Sequence, residues 1–475
     1  MRQFDSPKAQ SIIEVHMYFQ QFYLSCLAHA SYMIGSGGTA VVVDPQRDVA
    51  IYLEDAQKHD LRIAHIIETH LHADFVSGHR ELAAHTGAEI HVGVRAGAQF
   101  PHHDVRDGDE ITFGRAVLRF LETPGHSADS ICVLVTDLDR EPQPWAALTG
   151  DTLFIGEVGR PDLSPDHTAA ELASMLYDSL HDKLLKLPDS VEIYPAHGTG
   201  SLCGRNISPE RQSTIGKERA LNYALRPMSR EDFIRLMVTD LPERPEYFFR
   251  DKEINRAGAP AVADLPRLPA FSAQEVANWQ SQNAIVLDTR PAAQFGAGHI
   301  PGSMHIALCG QYASWAGTLL GLETSVVLVA EDAGRAEEAR LRLARVGLDR
   351  AVGYLHDGMH AWQQAGLPLE DIPQVSVLQL HGQLVDQPDA VQLIDVRRPG
   401  EWAAGHVEQA QNKPLHKLST LLADLNLQKP IAAFCRSGYR SSIGTSVLQR
   451  AGFKQVMNVV GGFDAWEAHK LPIVV

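Results

Sequence analysis

Along the first half of the chain, short aliphatic runs alternate with polar stretches in which His and Asp collect. The runs predict strands at Ala40–Val43, Ile63–Ile67, Val117–Phe120, Ile131–Val135, Trp145–Leu148 and Val191–Tyr194, and the intervening pattern predicts helices at Gly78–His85, Ala169–Leu185 and Arg230–Leu236. The segment Pro260–Pro269, with three prolines in ten residues, reads as a linker. Beyond it the pattern repeats. Val286-Leu-Asp288-Thr-Arg290 through Phe295, Gly298 and His299 aligns with Leu393-Ile-Asp395-Val-Arg397 through Trp402, Gly405 and His406. Asp357-Gly358-Met-His-Ala-Trp362 then aligns with Gly461-Gly462-Phe-Asp-Ala-Trp466. Landmarks in the same order at nearly constant separation indicate a duplicated module. Each copy alternates buried strands (Ala284–Leu287 and Val326–Val329; Gln392–Ile394 and Ile431–Phe434) with helical stretches, the pattern of a small parallel α/β domain.

Length and composition narrow the class without naming a chemistry. At 475 residues the chain exceeds one ordinary core and calls for two to four domains. With a net charge of −16 and no basic stripe, nucleic-acid binding is not expected, and no apolar run is long enough to span a bilayer. Cys26, Cys132, Cys203, Cys309 and Cys435 show no paired spacing, which fits free thiols in a reducing, cytoplasmic setting better than a disulfide framework or zinc ribbon. Residues 1–16 lack the apolar core of a secretory signal and read as a loose extension or an upstream start.

Chemistry enters at the strand ends. Thr69-His70-Leu71-His72-Ala73-Asp74-Phe75 follows one predicted strand; Pro124-Gly125-His126, Thr149-Gly150-Asp151 and Pro195-Ala196-His197-Gly198 follow others. A single loop His is more often structural than a ligand, but four such loops after strands point to a metal. These residues resemble the metallo-β-lactamase fold, an αββα sandwich whose strand-end loops meet at a metal. Hydrolases of that fold carry a His after the Asp that helps hold a second zinc; here Phe75 stands in its place. Within the fold the pattern is similar to the persulfide dioxygenases. That resemblance implies one iron(II) per domain, held by His70, His126 and Asp151. A face of two His and one carboxylate leaves positions open for substrate and O₂. His72, Asp74 and His197 become groups that orient ligands or substrate, with the question of whether His72 is itself a ligand left open. Glu157-Val-Gly159-Arg160-Pro-Asp162 resembles a loop of the same family. Arg160 is read either as holding that loop or meeting a substrate carboxylate, or as a plain ion pair with Asp162. Cys203, six residues past His197, is read either as lying beside the metal or as an inert buried thiol.

Near the other end, Cys435-Arg436-Ser437-Gly438-Tyr439-Arg440 lies between the strand Ile431–Phe434 and a helical stretch from Ser441. Backbone N–H groups, the positive helix end and the arginines Arg436 and Arg440 favour a thiolate and an oxyanion there. Cysteine phosphatases use a loop one residue longer. With the Asp395 and Gly461–Trp466 landmarks, this one resembles the rhodanese sulfurtransferases. The first copy departs from that family: aligning Arg335 with Arg440 puts Ala330 where Cys435 stands, beside Glu331 and Asp332. It is read as a degenerate copy, a spacer or docking domain.

The expected layout is therefore a dioxygenase domain over 17–262, a degenerate rhodanese over 271–372 and an active rhodanese over 377–475. The resemblance to bacterial persulfide dioxygenase–rhodanese fusions implies that a low-molecular-weight persulfide (of glutathione, coenzyme A or a similar thiol) is oxidised with O₂ to sulfite. Cys435, as a persulfide, then converts sulfite to thiosulfate. Two other readings stay open: a glyoxalase II-like thioester hydrolase, against which Phe75 argues, and a non-catalytic sulfane-sulfur carrier. No membrane partner is expected, and an even-numbered homo-oligomer is the expectation for quaternary structure.

Overall fold

The computed structural model describes residues 17–241 and 243–475, so the expectation for residues 1–16 lies outside the described residues. The chain divides into two compact units. One comprises the residues up to Ala73, Ser77–Arg244 and Lys252–Ala261; the other comprises Asp74–Val76, Pro245–Asp251 and Val262–Val475.

The first unit is built on two six-stranded sheets. One runs in sequence order through β1 (Tyr18–Leu24), β2 (His29–Ser36), β3 (Thr39–Val43), β4 (Arg62–Glu68), β5 (Glu89–Gly93) and β6 (His103–Val105). The other holds β7 (Glu110–Phe113), β8 (Ala116–Glu122), β9 (Ile131–Asp137), β10 (Ala146–Gly150), β11 (Glu192–Pro195) and β12 (Ser213–Thr214), paired in that order. Alternation along the strands explains the layering. Tyr32, Val41, Val43 and Ile67 face Leu118, Phe120, Val133 and Leu148 to form a core between the sheets. The other faces bury Val42, Ile66 and Ile90 against Tyr52 and Leu82 of the helices Ala50–Lys58 and His79–Thr86, and Cys132, Leu134 and Ile193 against Ala173, Leu176 and Phe233 from helices on the far side. The result is helix, sheet, sheet, helix.

The six predicted strands correspond to β3, β4, β8, β9, β10 and β11 within one or two residues at each end. The hairpin β1–β2 escapes the pattern because β2 is buried on both faces and reads as a mixed His-Ala-Ser-Tyr run with no alternation. The predicted helix Ala169–Leu185 is α-helical only to Asp178. It then widens into a π-turn over Ser179–Lys183 and ends in a 3₁₀ turn over Leu184–Lys186. At the widening, Ser179 donates its hydroxyl to the carbonyl of Pro124, two residues before His126.

The second unit contains two five-stranded parallel sheets of like order. The first is β13 (Ala270–Phe271), β17 (Ala351–Leu355), β16 (Val326–Val329), β14 (Ile285–Asp288), β15 (Met304–His305); the second is β18 (Gln374–Ser376), β22 (Val456–Val460), β21 (Ile431–Phe434), β19 (Gln392–Asp395), β20 (Ala410–Asn412). The duplication extends to individual hydrogen bonds. Arg290 forks onto Asp288 and reaches the carbonyl of Gly298; Arg397 does the same with Asp395 and Gly405. The indoles of Trp362 and Trp466 donate to Pro368 and Pro472, each at 2.9 Å. These shared contacts are structural, which is why both copies keep them while only one keeps a thiol.

Candidate active sites

Parallel and antiparallel pairing sends β3, β4, β8, β10 and β11 toward one rim of the sandwich, and the predicted site residues follow their ends. His70, His126 and Asp151 are brought together, and each is buried. Asp151 Oδ2 lies 3.4 Å from His126 Nε2 and 3.8 Å from His70 Nε2, and the two rings are 5.1 Å apart edge to face. His70 Nε2 and Asp151 Oδ2 have no hydrogen-bond partner, although both are buried. Buried polar atoms are almost always satisfied, so two converging ones without partners fit the donor set of a metal ion.

The other nitrogen of His70 is accounted for. Thr69 gives its hydroxyl hydrogen to Asp44 Oδ2 at 2.9 Å, so its oxygen accepts from His70 Nδ1 at 3.1 Å. That chain puts the ring proton on Nδ1 and the lone pair on Nε2, toward Asp151. Burial, reinforced by His72, holds His70 well below the usual histidine range, so the ring is neutral. Asp151 behaves oppositely. Burial would raise it, but His197, His126 and His70 hold it well below the usual carboxylate range. Its second oxygen, Oδ1, is bonded to His197 Nδ1 at 2.7 Å. Two glycines make room: a Cβ on Gly159 would come within 2.0 Å of the Asp151 carbonyl, and one on Gly150, at φ +51°, within 2.7 Å of Thr69 Oγ1.

His72 turns its Nε2 to carboxylates, 3.2 Å from Asp44 and 3.7 Å from Glu68. Burial opposes its charge, yet Asp44 and Glu68 outweigh it and raise its pKa above the ordinary histidine value. Asp74 is buried at the end of the same loop. Cys203 is buried within 4.8 Å of donor atoms of both Asp151 and His197. Arg160 forks onto Asp162 at 2.7 and 2.9 Å, and it also ties down the Cys203 segment, through its own N–H to the Cys203 carbonyl and its guanidinium to that of Leu202. Asp44, Glu68 and His79 were not foreseen. Asp44 follows the run Val41-Val42-Val43, so the strand-end logic that found Asp151 applies to it equally. Glu68 is bonded to Ser77 and lies 3.2 Å from His79, a network visible only once the loop is folded.

In the second unit, Cys435 is buried at the junction of β21 and the helix Tyr439–Arg450. The Gly438 N–H donates to its sulfur at 3.1 Å, and Ser441 Oγ is 3.4 Å away. Gly438 has φ +99°, and a Cβ on Gly462 would stand 2.2 Å from the Cys435 carbonyl, so glycine shapes both sides of the loop. Arg440 forks onto Glu401 at 2.7 Å to each oxygen, while the more exposed Arg436 pairs with Asp464 at 3.0 Å. Burial lowers the pKa of Arg440, but Glu401 and Cys435 raise it above the ordinary value. Both cations are thus oriented by carboxylates that the sequence reading did not include. In the first copy Ala330 follows β16, and Asp332 caps the next helix by accepting from the Arg335 N–H at 2.9 Å. A carboxylate occupies that turn, and no thiol stands beside it.

Comparison with known proteins adds kinship to this geometry. The metallo-beta-lactamase superfamily model matches residues 24–197, and the rhodanese-like domain model matches twice, at 272–365 and 378–469. A mitochondrial persulfide dioxygenase of Bos taurus is 33% identical over 215 residues, covering 44% of this chain and 75% of its own. The chain belongs to the persulfide dioxygenase–rhodanese fusion family. A hydroxyacylglutathione hydrolase of a Polaromonas species is also 33% identical, over 216 residues and 75% of its length. A solved metallo-beta-lactamase from Staphylococcus aureus is 31% identical, covers 72% of this chain and 99% of its own, and superposes with a TM-score of 0.65. A fusion of these two domain types points to sulfur metabolism with small sulfur compounds as substrates. Among the described residues no helix is long and apolar enough to cross a membrane.

One prediction follows from the Glu401–Arg440 fork. Burial would raise Glu401, but Arg440 outweighs it and lowers the carboxyl from 4.5 to about 2. A depressed folded pKa stabilises above the unfolded value and loses that stability as pH falls through the folded one. The pair therefore contributes roughly 1–2 kcal/mol at neutral pH, allowing for its partial exposure, and the contribution vanishes between about pH 4.5 and 2. Melting curves of wild type and Glu401→Gln should differ at pH 7 and converge across that window.

Proposed function

We propose that the chain oxidises a low-molecular-weight persulfide in its first domain (17–262) and uses the resulting sulfite in its last (377–475), with the degenerate copy (271–372) as a spacer or docking module. The observation that carries the first half is the pair of buried, unpartnered donor atoms on His70 and Asp151 beside His126. These three residues would hold one iron(II). When bound there, it would supply open coordination positions and a path for the electrons that pass from the persulfide sulfur to O₂.

The protein's own groups do the positioning. His197 holds Asp151 Oδ1, which leaves Oδ2 turned to the ligand face. Asp44, through Thr69, fixes the tautomer of His70. The salt-linked Arg160 pins the Cys203 segment against Asp151 and His197. Overall, persulfide, O₂ and water give the parent thiol and sulfite. In the last domain Cys435 takes a sulfane sulfur from a second persulfide; sulfite then attacks that outer sulfur, the S–S bond breaks, thiosulfate leaves and the Cys435 thiolate is restored. The Gly438 N–H, with Arg440 and Arg436, favours the anions that come and go at this sulfur. The parent thiol belongs to the class of glutathione, coenzyme A, bacillithiol or cysteine, and the reducing cytoplasm suits such a substrate.

Kinship with hydroxyacylglutathione hydrolases keeps a thioester hydrolase as the competing reading, and metal content separates the two. Purified protein should carry about one iron per chain and consume O₂ when glutathione persulfide is added. Zinc in pairs without O₂ uptake would replace this reading with the hydrolase.

A further inference from the structure

A second group of metal-capable side chains lies where the middle of β4, the strand that leads to His70, meets the first residues of β5 and β6. It involves β4, β5 and β6, three neighbouring parallel strands. His65 on β4 sits beside Glu89 on β5, and His91 on β5 sits beside His103 on β6. The rings of His65 and His91 point at each other, with Nδ1 of the first 3.1 Å from Nε2 of the second. Glu89 Oε2 closes the triangle at 3.6 and 4.0 Å from those nitrogens. We propose that His65, His91 and Glu89 form a second metal site, for a divalent d-block cation such as Zn²⁺, that clamps the neighbouring strands β4 and β5 together, apart from the His70 site.

The spacing argues for it. Two imidazoles on one tetrahedral Zn²⁺, with Zn–N bonds of about 2.0–2.1 Å, hold their nitrogens about 3.3 Å apart. The observed 3.1 Å is nearly that distance, so an ion fits after a small spreading of the rings. The donor set of two imidazoles and one carboxylate suits zinc, copper or nickel rather than calcium or magnesium. Surroundings favour lone pairs over protons: burial and the neighbouring rings lower His91 to about 4, and burial also lowers His65. Beneath, His91 lies parallel to the core ring of Phe120. Glu89 and His103 have more than half of their side chains exposed, which opens the cluster to solvent and gives an ion its route in. His103 stacks on His91 at 5.4 Å, and its Nε2 lies 3.8 Å from Glu89 Oε1, so a rotation brings it in as a fourth donor in place of water.

The test is a zinc count on the full-length protein. Wild type, His65→Gln, His91→Gln and Glu89→Gln are stripped with a chelator and dialysed to equilibrium against Zn²⁺, and bound zinc is measured by atomic spectrometry. The active-site residues are the same in all four, so their zinc cancels. Wild type should bind one more equivalent than His65→Gln or His91→Gln, and Glu89→Gln should bind that equivalent about 10-fold more weakly. Equal stoichiometry and affinity in wild type and His65→Gln would overturn the proposal. Should the buried His91 variant melt early, the more exposed His65 and Glu89 variants decide, with circular dichroism showing that they are folded. The outcome is independent of which reaction the first domain performs.

Discussion

Asp151→Asn should reduce iron content to a small fraction of one equivalent and O₂ uptake by more than about 100-fold, with little change in melting temperature. The asparagine keeps the shape of the side chain and can still meet His197 through one of its two polar atoms. What it loses is the negative charge that His197, His126 and His70 together stabilise, which is the component a cation needs. His197→Gln is the informative comparison. His197 acts through Asp151, and losing such an orienting partner generally costs about 10–100-fold in metal affinity or activity. Iron content and O₂ consumption measured on the same preparations would rank the two. If Asp151→Asn retained both, the metal would have to lie among other residues.

Cys435→Ser should abolish thiosulfate formation, by about 1,000-fold or more, while persulfide-dependent O₂ uptake continues and sulfite accumulates in place of thiosulfate. A hydroxyl of similar size accepts the Gly438 N–H as the sulfur does, so the loop has no reason to unfold. It cannot carry a sulfane sulfur, because the chemistry requires an S–S bond to form and break. Following sulfite and thiosulfate together distinguishes this outcome from a general loss of activity. A collapse of O₂ uptake in this variant would mean that the two chemistries are not divided between His70–His126–Asp151 and Cys435.

How much of this was legible in the chain depends on how far each signal reaches. The strand-end residues His70, His126, Asp151 and His197 could be placed together because a strand run followed by a polar loop is a local pattern, and a fold of parallel-running strands collects such loops at one rim. The duplication was legible for the same reason, since Asp288–Arg290 and Asp395–Arg397 are forks within three residues. Partners distant in sequence were not. Glu401 lies 39 residues before Arg440, and its pairing with that guanidinium appears only when β19 and β21 lie side by side. Arg160 was read two ways, and the structure shows it in contact with both Asp162 and the Cys203 segment.

By itself, the sequence determined the kinds of domain present, their order, the loss of the thiol at Ala330 and the identity of the groups that can carry chemistry. Those are matters of residue type and short spacing. Only the tertiary structure decided what each group faces. It turned His70 Nε2 and Asp151 Oδ2 toward one another without partners, and His72 toward Asp44 and Glu68. It also placed His65, Glu89 and His91 in one cluster from two strands. The physical reason is that protonation and metal binding answer to distances of a few ångströms and to burial, and neither is set until the sheets close.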